Sequence, residues 1–158
     1  MIHLYTKGKL TEVEEIQLND IMIEFFDVTD CKPPQISWSQ FVNGKLGPIH
    51  SSTDSSNTIF FYFVSLAQYD LIDREMSTDK KSYTAIHRAI KSFDSLINSP
   101  LFFNYLIVLL FTFDDVMKVK LQSSSFKSHF PQFSGDENDF DEVYEFIKSQ
   151  FESKIRHS

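Results

Sequence analysis

Three carboxylates stand where apolar runs give way to polar residues: Asp27 after Ile21 to Phe26, and Asp114 and Asp115 after Leu106 to Phe111. A carboxylate at the end of a strand can contact a magnesium ion, although that residue type more commonly forms a turn or caps a helix. Asp30 and Cys31 extend the first group. A nucleophilic thiol needs a base, and no histidine or activating motif lies near Cys31 in the sequence, so it reads as an ordinary thiol. His3, His50, His87, His129 and His157 show no ligand spacing with a second His or Cys, which argues against a metal site and assigns most of them to the surface. Trp38 and Phe41, beside a Gly/Ser/Asn/Asp-rich stretch, supply large flat surfaces of the kind that anchor protein contacts.

These residues need elements to place them. Ile16 and Leu18, then Ile21, Ile23 and Phe25, alternate around Asn19-Asp20, a period of two on either side of a two-residue turn that predicts a β-hairpin. Pro33-Pro34 and the spacing of Trp38 and Phe41 allow at most a short helix before a flexible insertion over about 43–57. Ile59 to Leu66 (IFFYFVSL) and Leu106 to Phe111 (LIVLLF) are nearly continuous apolar runs, the pattern of strands covered on both faces of a parallel sheet. Tyr83, Ile86, Ile90, Phe93 and Ile97 recur every three or four residues, which predicts a helix ending near Asn98-Ser99-Pro100 and one right-handed strand–helix–strand crossover. Phe140, Val143, Tyr144, Ile147 and Phe151 repeat that stripe, with Asn138 or Asp139 placed to cap a last helix.

The 158 residues suffice for one core, and 42% hydrophobic with 23% charged residues is the range of ordinary folded proteins. Seventeen Phe against one Trp weight both core and surface contacts toward aromatic rings. A net charge of −7, with pI near 5.1 and no basic stripe, argues against a nucleic-acid partner. One cysteine cannot form an internal disulfide, so a reducing, cytoplasmic setting is expected. No apolar run is long enough to span a bilayer, no signal-peptide pattern opens the chain, and Ile2 replaces the glycine that N-myristoylation requires. Membrane insertion is not expected.

Five blocks in this order resemble the Ras-like domain of heterotrimeric G-protein α subunits. Glu15 to Val28 (EIQLNDIMIEFFDV) is similar to the second and third strands, which lead into F-D-V-G-G-Q in that family. Phe60 to Leu71 (FFYFVSLAQYDL) resembles the fourth strand with its S-x-Y-D-L, and His87 to Asn98 (HRAIKSFDSLIN) the helix H-E-S-x-x-L-F-D-S-I-x-N. Phe130 to Gly135 (FPQFSG) and Phe146 to Glu152 (FIKSQFE) resemble F-P-E-Y-x-G and Y-I-x-x-Q-F-E. The resemblance implies an α/β, partial Ras-like fold of the P-loop NTPase type: three layers, a mixed sheet and helices on both faces. On it, residues 1–14 are a tail or first-switch remnant and 15–158 a truncated G domain.

The departures from the family pattern bear on function. No G-x-x-x-x-G-K-[ST] occurs in these residues, so the backbone cradle and lysine for phosphates are absent from them. Lys7 takes the place of the arginine finger, and the magnesium-binding threonine falls on Leu10 or Thr11. Thr29, Asp30 and Cys31 stand for Gly, Gly and the water-orienting Gln, and a carboxylate at Asp30 would repel a γ-phosphate. N-K-x-D corresponds to Thr112-Phe113-Asp114-Asp115, which keeps only the guanine-reading aspartate, Asp115. Asp27, Asp30, Cys31, Thr112 and Asp115 are therefore vestigial nucleotide-site positions with no catalytic residue among them. In that family catalysis is phosphate positioning plus electrostatics, so the expectation is no GTPase activity and no resident cofactor. GTP and magnesium would bind only if a partner chain completed the site.

Trp38 resembles the tryptophan of the family's second switch helix, a surface used for the βγ dimer and effectors, which makes Trp38 and Phe41 the candidate protein interface. The alternative is that they pack on the helix at 83–97. The family's central first strand and its last strand have no recognisable counterpart here. Strand 21–27 then pairs with strand 59–66, with Met1 to Thr6, or with another chain, and a protein partner or homodimer is expected. A Gβγ-like partner is one such protein.

Overall fold

The computed structural model describes residues 14–18, 21–25, 59–79, 81–103 and 105–155. The chain divides into two units, residues 1–47 and 48–158. In the first, β1 (Glu14–Leu18) and β2 (Ile21–Phe25) form an antiparallel ladder running from Glu14 opposite Phe25 to Leu18 opposite Ile21. That register leaves Asn19 and Asp20 as the connection, as the alternating pattern predicts.

The second unit is built on a parallel pair, β3 (Ile59–Ser65) and β4 (Leu106–Thr112), in register from Ile59 beside Leu106 to Ser65 beside Thr112. The crossover between them carries α1 (Ala85–Ile97), and α2 (Asp114–Lys120) and α3 (Phe140–Glu152) follow. Short 3-10 turns occupy Leu66–Gln68 and Pro100–Phe102. Neither ladder has a third strand among the described residues.

Packing follows from the stripes. Ile86 and Phe93 of α1 and Val143, Ile147 and Phe151 of α3 are buried with Val64 of β3, while Tyr62, Ile107, Leu109 and Phe111 close the layer from the strands. Phe93 and Phe111 meet the Phe151 ring edge-on at 5.5 and 5.4 Å, so one aromatic side chain joins α1, β4 and α3. The Tyr62 hydroxyl donates to the Ala89 carbonyl at 2.9 Å, fixing β3 against α1, and burial pushes its pKa up to about 12. Asn98 closes α1 and donates from Nδ2 to the Lys154 carbonyl at 3.0 Å, tying the ends of α1 and α3 together. Asp139 caps α3, its carboxylate accepting from the Asp141 and Glu142 amides.

The FPQFSG block forms an aromatic plug. Phe126 and Phe130 stack at 4.5 Å, and Phe133 and Phe146 meet Phe126 edge-on. Gly135 is needed beside it: a Cβ there would lie 2.7 Å from Cζ of the buried Phe133 ring and would also meet the Glu142 carboxylate.

Three findings differ from the sequence expectation. Among the described residues no element covers the second face of β3, where Ile59, Phe61 and Phe63 are exposed. A helix, α2, begins directly after β4. His87 is not a simple surface residue: it is half-buried, and its ring stacks on Phe130 at 4.4 Å and 6°.

Candidate functional site

Among the sequence-derived site positions, Asp27, Asp30, Cys31, Trp38 and Phe41 lie outside the described residues, as does the insertion at 43–57. The two that are described, Thr112 and Asp115, fall together at the C-terminal end of the parallel pair, the end at which open α/β sheets bind ligands. Thr112 is the last residue of β4, and its hydroxyl donates to the Val64 carbonyl at 3.2 Å, so its side chain bridges the two strands. Phe113 turns the chain into α2 with φ 60° and ψ 40°, a left-handed conformation that costs a non-glycine residue on the order of 1–2 kcal/mol. Its ring is exposed. Asp114 and Asp115 occupy the first turn of α2, where carboxylates complement the helix dipole, and Lys118 and Lys120 sit in the last. Asp114 pairs with Lys118 at 3.0 Å, one helical turn on, which holds its carboxyl below the usual range. Asp115, beside it in the same turn, is exposed.

A second cluster buttresses the turn. Lys120 bonds the Asp70 carboxylate and donates to the Ala67 carbonyl at 2.7 Å, and the Ser124 hydroxyl donates to Asp70 at 3.0 Å. The Tyr69 hydroxyl donates to the Ser124 carbonyl at 2.8 Å beneath them. Partial burial works to raise the Asp70 pKa, but the Lys120 and Ser124 contacts outweigh it, and the carboxyl lies below its ordinary value. The Tyr-Asp-Leu block thus locks the end of α2 to the segment after β3. Its role is positional.

The start of α1 holds a feature that the sequence pattern concealed. Thr84 and His87 form a capping box: the His87 side chain accepts from the Thr84 amide at Nδ1, 3.1 Å, and Thr84 Oγ1 lies 2.9 Å from the same nitrogen. An accepting Nδ1 requires the neutral ring. Burial lowers the His87 pKa, helped by the nearby Lys81 and His129 charges. The folded chain therefore binds this proton less readily than the unfolded one, and stability falls as pH drops through the unfolded value of 6.5. Unfolding midpoints in urea between pH 8 and 5 are expected to decline, with His87→Gln flattening the decline; an equal slope in the variant would show that another group carries it.

Among the described residues no three His, Cys, Asp or Glu side chains converge as metal ligands would, and no helix is long and apolar enough to cross a membrane.

Comparison with known proteins places this architecture. The family model described as G-protein alpha subunit matches residues 2–158. The chain belongs to the G-protein alpha subunit family. It is 28% identical over 153 residues to a Caenorhabditis elegans guanine nucleotide-binding protein G(o) subunit alpha, covering 96% of this chain and 38% of that protein. A Caenorhabditis briggsae alpha-16 subunit is 30% identical over 151 residues, 94% of this chain and 38% of its own length. The rat subunit alpha-12 is 30% identical over 100 residues, 63% of this chain and 25% of its own. The chain thus spans less than two-fifths of the length of these relatives. The parallel β3–β4 pair with α1 as its crossover is part of the Ras-like α/β fold of the G-alpha family, with the Tyr-Asp-Leu, Phe-Asp-Ser and Phe-Pro-Gln blocks at its load-sharing contacts.

Proposed function

We propose that this chain is a Gα-like pseudo-GTPase, a protein-interaction or scaffold module in signalling or assembly that does not hydrolyse GTP. The observation that carries the reading is the turn after β4. Where the family has N-K-x-D, this chain has Thr112-Phe113-Asp114-Asp115, with the Thr112 hydroxyl bonded across to Val64 and an aromatic residue in the left-handed position. One carboxylate does not specify guanine. The replacement of Gly-Gly-Gln by Thr29-Asp30-Cys31 points the same way, because it removes the residue that orients water and adds a charge that opposes phosphate. Incubation with GTP and magnesium should release phosphate no faster than buffer does. Turnover that survives repurification and is lost in Asp115→Ala would overturn the proposal.

A second reading rests on Asp115 itself, which stands exposed in the first turn of α2 at the family's guanine-reading position. On it, the chain is a G-protein α-type signal transducer that binds GTP or GDP once a partner chain supplies the phosphate site. Both readings predict a protein partner, with a Gβγ-like dimer as one candidate. They divide on whether nucleotide binds the chain alone.

A further inference from the structure

Ser134 fills the one open position of the Phe130 to Gly135 block, the x of F-P-E-Y-x-G, in the irregular segment between the aromatic plug and α3. It is exposed, and its hydroxyl meets no partner among the described residues. The serines of the facing loop differ. Ser123 donates to the Lys120 carbonyl at 3.2 Å, Ser125 to the Glu137 carboxylate at 2.8 Å and Ser128 to the Ser125 carbonyl at 2.8 Å. The backbone around Ser134 is held on both sides: Phe133 is buried just before it, and the Asp136 amide just after it donates to the Glu142 carboxylate at 2.9 Å. Carboxylates then follow in close order at Asp136, Glu137, Asp139, Asp141 and Glu142, and no lysine or arginine occurs from Ser128 to Ile147. All of these acids except the half-buried Glu137 are exposed.

We propose that Ser134 is a phosphorylation site for a serine/threonine kinase whose substrate groove is basic. Ser134 Oγ attacks the γ-phosphorus of ATP held by the kinase, the bond from that phosphorus to the β–γ bridging oxygen breaks, ADP leaves, and the hydroxyl proton passes to a carboxylate base of the kinase. The unengaged hydroxyl is a nucleophile whose use breaks no hydrogen bond of the fold. The acids behind it supply the charge that a basic groove attracts and that a groove built for lysine or arginine rejects. The product carries about −1.5 to −2 charge at pH 7, set close to Asp136 and Glu142, where like charge opposes it. Phosphorylation therefore loosens the contact from Glu142 to the Asp136 amide at the start of α3, a charge switch that depends neither on nucleotide nor on the pseudo-GTPase reading.

The test incubates the full folded chain with an acid-directed kinase of the casein-kinase type and magnesium ATP, and maps phosphate by peptide mass. Ser134 is expected to be labelled and Ser134→Ala to lose that label. Incorporation should slow at least ~10-fold in Asp136→Asn/Glu137→Gln, whose amide oxygens still accept from the Asn138 and Lys127 amides so that Tm is kept, and in the same direction for Asp136→Asn alone. An arginine-directed kinase should label Ser134 at least ~10-fold more slowly than the acid-directed one. The phosphorylated chain should melt below the unmodified one at low salt and converge with it at high salt. Label confined to other residues overturns the proposal, as do no label, an undiminished rate in both acid variants, or labelling only of the heat-unfolded chain. Equal Tm values at low salt would overturn the charge switch.

Discussion

Phe126→Ala is expected to lower the unfolding free energy by about 4 kcal/mol, read as a fall in Tm of more than ~10 °C. The ring is fully buried, stacks on Phe130, receives edges from Phe133 and Phe146, and lies 5.6 Å from Tyr69. Truncation removes apolar transfer energy and leaves a cavity whose walls are themselves pinned aromatics, with little freedom to collapse. Phe103→Ala supplies the contrast, since that ring is exposed, and its change should stay within ~0.5 kcal/mol. Comparable losses in the two variants would mean that the plug around Phe126 does not hold the second unit together.

The second large effect is at Asp73, in the segment leading to α1. Its carboxylate accepts from the Glu75 and Met76 amides, both at 3.0 Å, and pairs in a fork with Arg88, whose Nε and Nη2 both donate to it. The Asp73 side chain is only 7% exposed, whereas Arg88 is 36% exposed, so the pair is anchored on the carboxylate side and partly screened on the other. Asp73→Ala should cost about 2–3 kcal/mol by leaving two amides without their acceptor and Arg88 with only its 2.8 Å contact to Glu75. The Arg88 hydrogen bonds lead the effects that bring the Asp73 pKa from 3.8 down to about 2. Because the folded value is the lower one, this contribution is present above the unfolded value and disappears as pH falls from about 4 through about 2, a span worth roughly 1–2 kcal/mol after screening. Acid unfolding of Asp73→Asn should lack that component. An unchanged acid limb would assign it to other carboxylates.

The elements with strong periodicity were legible in the sequence. α1 and α3 announced themselves by stripes at three- and four-residue steps, the β1–β2 hairpin by alternation around Asn19-Asp20, and β3 and β4 by their apolar runs. The cap of α3 was legible as Asn138 or Asp139, and the structure gives it to Asp139. α2 was not, because seven residues with apolar positions at Val116, Met117 and Val119 form no stripe; its only inward anchor is the buried Met117. The available signal was the charge order, Asp114-Asp115 before Lys118 and Lys120, which suits a helix dipole. His87 was concealed for a related reason. A capping box is recognised by Glu or Gln three residues after the cap, and an imidazole does the same work here only while neutral. The exposure of Ile59, Phe61 and Phe63 among the described residues could not be read from IFFYFVSL, since a run of apolar residues looks the same whether one side is covered or both. Of the candidate positions, Thr112 closes β4 and Asp115 follows in the first turn of α2. Nothing in the sequence signalled that the threonine bridges the strands or that Phe113 adopts a positive φ.

Thermal unfolding of the nucleotide-stripped chain, alone and with millimolar GDP or GTP and magnesium, tests the central claim most directly, with calorimetric titration of the same sample to read binding heat. A ligand held by the folded state at ~10 μM would add about 2.7 kcal/mol at 1 mM and raise Tm by several degrees. The account predicts no shift and no heat. A saturable shift with matching heat would contradict it and assign the turn at Thr112–Asp115 a working role in nucleotide binding.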